Sequence, residues 1–267
     1  MKKKKLILYF FYVFSFSVIF PVQAQLTLDK GKISKEVVPG ESVSGVITVI
    51  NSSNVNYRLK AYFQDFEYIP PFDGTKKFLP IGSSKYSCGE WVVFSPQDLV
   101  VPPKTKKVIN YTVSTPRDIS GGYNGVLFME TIPDDATGQF LKIVTRTGCL
   151  FFIETVGSDK KGKIDNIVAE GNKINFNLIN TGNIILMPEA TFYIMSEEGM
   201  VVDRGKIKKC YLPPEGKFPF VIQLKDDLSG KYSMILTYDL MDNDLLVKEI
   251  DFSKQSSGQI NILDVRD

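Results

Sequence analysis

Apolar and polar side chains alternate with a period of two along most of the chain, and no segment sustains a helical period. Leu59, Ala61 and Phe63 alternate with Arg58, Lys60 and Gln64, and Ile109, Tyr111 and Val113 with Asn110 and Thr112. Further on, Ile174, Phe176 and Leu178 alternate with Asn175 and Asn177, and Phe218, Phe220, Ile222 and Leu224 keep the same rule. Such segments are half-buried strands, each offering one face to a core.

The punctuation between strands repeats. Asp118-Ile119-Ser120-Gly121-Gly122-Tyr123 and Asp227-Leu228-Ser229-Gly230-Lys231-Tyr232 both read D-[IL]-S-G-x-Y, and each leads into a strand. Upstream of each lies a Pro-Pro turn, Val101-Pro102-Pro103 and Leu212-Pro213-Pro214, and earlier still an apolar strand ending in Asn, at Asn51 and Asn180. The order is the same in both halves. Short strands and turns in units of about 100 residues predict an all-β chain of two tandem immunoglobulin-like sandwiches.

In each unit the Tyr after the turn, Tyr123 or Tyr232, suits the corner position from which a phenol bonds back to the backbone, and Gly121 and Gly230 make the turn. Gly125 and Met234 stand two residues after each Tyr, where the sheet-bridging disulfide usually attaches, so packing alone must hold the sandwiches. Gly125 permits a bulge or a close approach. The first domain is expected over 25–157, a polar linker over 158–163, the second domain over 164–253 and a polar tail over 254–267. Residues 140–156 read as one long strand, apolar on both faces in its early part, that is either central in a sheet or an edge offered to a partner.

The N-terminus changes the picture. Lys2 to Lys5 precede an apolar run from Leu6 to Phe20, then Pro21 and small residues ending at Ala24. The run is shorter than the roughly 20 residues that span a bilayer, so residues 1–24 read as a cleaved signal peptide and the mature chain as periplasmic or secreted, with no membrane span. With four of the 32 basic residues in that segment, 28 basic face 30 acidic side chains. A net charge near −2 gives no footprint for nucleic acid or an anionic membrane.

The chain has no His, which removes the commonest general base and metal ligand. Phosphate-cradling loops and nucleophile elbows are absent too. The carboxylate pairs Asp65 with Glu67 and Asp134 with Asp135 read as solvated surface charge, and Gly121 to Gly125 has no helix N-terminus to bind an anion. The expectation is a binding protein, not an enzyme, with no metal and no cofactor. Cys88, Cys149 and Cys210 are an odd set without metal-type spacing, and Cys149 and Cys210 read as small buried apolar residues.

Several segments resemble the PapD-like periplasmic chaperones of pilus assembly: Leu26 to Lys30, Val49-Ile50-Asn51, Trp91 with Val92 to Pro96, Leu99 to Pro103, and Ile143 to Arg146 leading into Leu150-Phe151-Phe152. The likeness covers most of the mature chain. It implies a partner, an exported protein subunit, bound by strand addition, with a basic pair in the cleft between the domains holding the subunit's terminal carboxylate. Lys30 matches the first base; Gly148-Cys149 stands about where the second is expected, and Arg146 is the nearest base. Leu141 and Ile143 match the side chains lent to the subunit. The run from Gly121 to Phe128 departs from pilus chaperones and is similar to envelope proteins that bind the cell wall and WxL domains. An adhesive or scaffold module binding cell-wall polymer, glycan or another surface protein is therefore the alternative.

Overall fold

The computed structural model describes residues 25–133, 144–241 and 244–267. Two all-β sandwiches follow one another. In the first, one sheet has the order β1 (Leu26–Leu28), β3 (Ser42–Asn51), β8 (Lys106–Ser114), β6 (Val92–Ser95). Facing it is a sheet ordered β2 (Lys32–Val37), β10 (Arg146–Thr155), β9 (Gly122–Thr131), β4 (Tyr57–Tyr68), β5 (Lys76–Leu79), with β7 (Asp98–Val101) also paired to β4. Leu59, Ala61, Phe63, Ile109, Tyr111, Val113, Leu127, Phe151 and Ile153 fill the space between the sheets.

The second sandwich sets β11 (Gly162–Glu170), β12 (Lys173–Asn180) and β15 (Lys217–Gln223) against a sheet ordered β14 (Val201–Ile207), β13 (Glu189–Ser196), β16 (Gly230–Asp239), β17 (Leu245–Lys254), β18 (Ile260–Arg266). Ile174, Phe176, Leu178, Phe220, Ile222, Leu236 and Ile250 are among its buried core residues.

The three repeated markers form the same lock in both sandwiches. Asn51 is 1% exposed, and its amide nitrogen reaches the carbonyls of Val101 and Pro102, both at 2.9 Å, at the Pro-Pro turn. Asn180, equally buried, donates to Leu212 O at 2.9 Å and Ile184 O at 2.7 Å. The strand-ending Asn thus ties the loop after it to the turn before the next strand. The corner tyrosines also match: Tyr123 donates to Ser120 O at 3.3 Å and Tyr232 to Ser229 O at 3.1 Å. In place of a disulfide, Trp91 lies against Tyr123 with ring centroids 4.5 Å apart, and Cys88, Cys149 and Cys210 are free and buried.

Gly125 makes no bulge against β10, where β9 keeps unbroken register, and its pairing with β4 ends one residue away at Val126. It serves close approach instead: a Cβ there would fall on the ring of Phe63, which packs edge-on to Phe151, the residue paired with Gly125. Gly125→Ala should therefore destabilise the first domain by about 1–3 kcal/mol through overpacking. A urea midpoint unchanged from the unmutated protein would show that Phe63 has room to move.

Three boundaries differ from the sequence reading. β11 starts at Gly162, so Gly162 and Lys163 are already paired with β12 and do not belong to a linker. Val144 and Thr145 precede β10, which begins at Arg146; residues 140–143 lie outside the described residues. The polar tail 254–267 is largely strand. Lys254 ends β17 at 2% exposure because its ammonium donates to Asp226 O and Leu228 O, at 3.0 and 2.9 Å, and β18 pairs with β17 from Ile260 to Arg266. A Ser-Ser-Gly turn and a charged terminus mask that alternation.

Candidate partner-binding edge

The edge arises where the chain changes sheets. After β1, Asp29 still belongs to the first sheet: its N–H donates to Thr48 O at 3.0 Å, and its Oδ1 accepts from Thr48 N at 2.7 Å. The Lys30 ammonium continues the contact, donating to Val46 O at 3.2 Å. Gly31 then crosses over. Its carbonyl accepts from Leu150 N at 3.0 Å, and β2 runs parallel to β10 from Lys32 opposite Leu150 to Val37 opposite Thr155.

β2 covers only the second part of β10. From Arg146 to Cys149 the strand has β9 on one side, and no strand pairs with its other side among the described residues. β1, the nearest element there, is bonded to β3 in the opposite sheet. Backbone groups alternate sides along a strand. Thr145 O is bonded by Thr131 N in the β9 direction, and Leu150 N points to Gly31. Thr147 and Cys149 are accordingly spent on β9, whereas the N–H and C=O groups of Arg146 and Gly148 face the open side.

Side chains along this segment alternate between two surfaces. Cys149 enters the sandwich core fully buried, and burial, helped by the Asp29 carboxylate, pushes its thiol up to about 12. Arg146 takes the outer surface, its guanidinium 4.2 Å from the ring centre of Phe128 and 5.3 Å from that of Phe78. One guanidinium N–H reaches the Tyr62 hydroxyl at 3.5 Å, and that hydroxyl donates to Glu130 at 2.7 Å. Burial raises the Tyr62 phenol above its ordinary value, so it stays a donor. Gly148 has no room for a larger residue, since a Cβ would stand 2.9 Å from Phe128 and Val126. The ring that carries Arg146 occupies the space a second base would need.

Lys30 and Arg146 are not brought into one cluster. Lys30 reaches across to the first sheet, and Arg146 lies on the outer surface of the second, four residues before β10 meets Lys30's own segment. Lys32, which the sequence reading passed over, shares Arg146's surface, with its ammonium 4.7 Å over Phe152. Leu141 and Ile143 lie outside the described residues. Tyr123, Tyr232 and Gly230 sit at the corners already described, and Gly121 lies where the two domains meet.

Part of the outer surface of this sheet is buried. Phe66, Tyr68, Val126, Phe128 and Phe152 form a second apolar cluster, against which Ile185, Met187 and Tyr211 of the second domain pack. The signal was present in Tyr62, Phe66 and Tyr68, the strand positions between the core residues of β4. Asp65, read as surface charge, is fully buried; its carboxylate accepts from Ser84 N at 3.1 Å and Ser87 Oγ at 2.6 Å and holds the loop before β6.

No family model matches the chain, and no curated protein does. Solved structures do. The class 5 fimbriae chaperone CfaA superposes with a TM-score of 0.54 at 16% identity, over 83% of this chain and 97% of its own. A chain from the chaperone–tip adhesin complex of CFA/I fimbriae biogenesis gives 0.51 at 16% identity, over 84% and 97%. The fold is therefore the two-sandwich fold of the PapD-like fimbrial chaperones. Among the described residues no helix is long and apolar enough to cross a membrane.

Proposed function

We propose that the mature chain is an exported, non-catalytic, chaperone-like factor for assembly of a pilus or other surface structure, and that it holds its client by strand addition on β10. The observation that carries this is the open run of Arg146 to Cys149, with two residues' backbone groups facing outward and β1 held away in the other sheet. An edge of this kind pairs with an extended chain: main-chain bonds give affinity and alternate side chains set register. Lys30 and Arg146 bracket the run, each a cationic station for a client's terminal carboxylate, and Leu141 and Ile143 extend the contact upstream. Residues 1–24, outside the described ones, supply export. The fold likeness to the fimbriae chaperone CfaA and to a chain of a chaperone–tip adhesin complex supports the same reading.

Residue-resolved hydrogen exchange tests it, using a synthetic ten-residue peptide of alternating Val and Thr with a free C-terminal carboxylate. Binding should slow exchange at the Arg146 and Gly148 amides by about tenfold or more, as new main-chain bonds require, and leave Thr147 and Cys149 unchanged. Charge reversal at Lys30 and Arg146 together should weaken the peptide without unfolding the protein. Absence of binding, or binding that leaves the Arg146 and Gly148 amides as they were, overturns the reading.

A further inference from the structure

Main-chain hydrogen bonds join the two domains at two separate stations, and two stations fix an angle where one would leave a hinge. The first is built on Gly121 and Asn183. Gly122 N donates to Asn183 O at 2.9 Å, Asn183 N to Asp159 O at 3.1 Å, and Asp159 N to the Asn183 side-chain oxygen at 2.8 Å. Gly121 joins this station to the end of β10, its N–H on Thr155 Oγ1 at 2.9 Å and its carbonyl accepting from Thr155 N at 3.0 Å. Its φ is +95°, and a Cβ there would stand 2.5 Å from the Asn183 carbonyl oxygen. Only glycine lets the second domain come this close.

The second station is the turn between β4 and β5. Tyr68 stacks on Tyr211 of the second domain, centroids 4.8 Å apart at 22°, and Tyr211 N donates to Phe72 O at 2.8 Å. The Lys76 ammonium lies 4.8 Å over Tyr68 and 5.9 Å over Tyr211, and its partial burial lowers its pKa from the ordinary lysine value. Between the stations is a cavity of about 210 Å³ lined by Tyr68, Tyr86, Asn124, Ile185, Pro213 and Pro214 among others. Around it, Ile185 and Met187 pack on the apolar outer surface of the first domain's sheet, and Lys85 pairs with Glu215 at 3.5 Å.

We infer that Gly121, Asn183 and Tyr211 are positioning residues: they lock the second domain at one angle, so that Ile185 and Met187 wall the outer surface of the sheet that carries the open edge. A strand added beside Arg146 and Gly148 projects half its side chains to that surface, where Phe128, Phe152 and the second domain already pack together. The Gly-Gly-Tyr segment has its role here. The inference about client grip rests on the strand-addition reading; the fixed angle does not.

Spin labels at Val93→Cys and Val221→Cys, both more than half exposed and one on each domain, report the angle in the full mature chain; the native cysteines are buried. A single narrow distance distribution is expected for the otherwise unmutated protein, with broadening in Gly121→Ala and in Tyr211→Ala. Tyr211→Phe, which keeps the stacked ring, should restore the narrow distribution. The same Val-Thr peptide should bind the two broadened variants about tenfold more weakly and Tyr211→Phe normally, with the first-domain unfolding midpoint kept in Tyr211→Ala. Unchanged distributions in both variants overturn the lock. Broadened distributions with unchanged affinity overturn its role in client grip. If the peptide binds no form of the protein, the strand-addition reading fails while the distances still decide the lock.

Discussion

Asn51→Ala should lower the stability of the first domain by about 3–5 kcal/mol, a large part of the total for a domain of this size. The buried amide serves both sides of one loop. Its nitrogen donates to Val55, Val101 and Pro102 carbonyls, and its oxygen accepts from Ser53 N at 2.9 Å and Ser53 Oγ at 2.7 Å. Alanine takes that partner from Val101 O, Ser53 N and Ser53 Oγ, whose bonds to Asn51 are buried, at about 1–3 kcal/mol for each buried group left without a partner. Aspartate should be no better, because it cannot donate to the carbonyls. The chain has one tryptophan, and Trp91 packs on the first-domain core. Its fluorescence in urea should show the midpoint falling with the slope unchanged. Asn180→Ala, the equivalent change, should move the second domain's circular dichroism transition and leave the tryptophan midpoint near its place. A loss under about 1 kcal/mol for Asn51→Ala would mean that the loop finds other partners, and the shared lock would then be decoration.

The repeat was legible in the sequence because each of its markers acts locally. An Asn at a strand end, a Pro-Pro turn and a Tyr after D-x-x-G each constrain a few residues of backbone, and their order in both halves was enough for the two-sandwich architecture. The open edge was less legible. It depends on Gly31 leaving the first sheet to meet Leu150 about 120 residues later, and alternation within Leu26 to Val37 does not say which sheet each part joins. The same gap separates Lys30 from Arg146: both lie beside the edge in sequence terms, but a sheet change lies between them. Asp65 looked solvated because its partners, Ser84 and Ser87, come from a loop with no pattern of its own. The apolar outer surface was visible in Tyr62, Phe66 and Tyr68, but what covers it, Tyr211 with Ile185 and Met187, is a second-domain contribution that no local pattern announces.

Deleting residues 255–267 should destabilise the second domain by about 3–5 kcal/mol, although the segment reads as a polar tail. Ile260 is 6% exposed and Ile262 packs on the same core; losing a buried Ile costs about 1.5–3 kcal/mol, and six cross-strand pairs with β17 add roughly 0.2–1 kcal/mol each where their side chains touch. The ion pairs of Arg266, with Asp251 at 2.8 Å, Glu249 at 3.0 Å and Asp264 at 2.6 Å, are exposed and add little. They leave a signature in pH instead. Hydrogen bonds from Arg266 hold Glu249 and Asp251 below the ordinary carboxylate values of 4.5 and 3.8. Carboxyls depressed in the folded state contribute stability that is full above those values and is lost as pH falls through the lower, folded ones. The full chain should therefore lose a small increment of stability below about pH 4.5 that the shortened chain never had. At neutral pH the second domain's thermal midpoint should fall by more than about 10 °C, while the Trp91 signal of the first domain moves less. A shortened protein that melts where the full chain does would show β18 to be dispensable, with β17 a stable edge on its own.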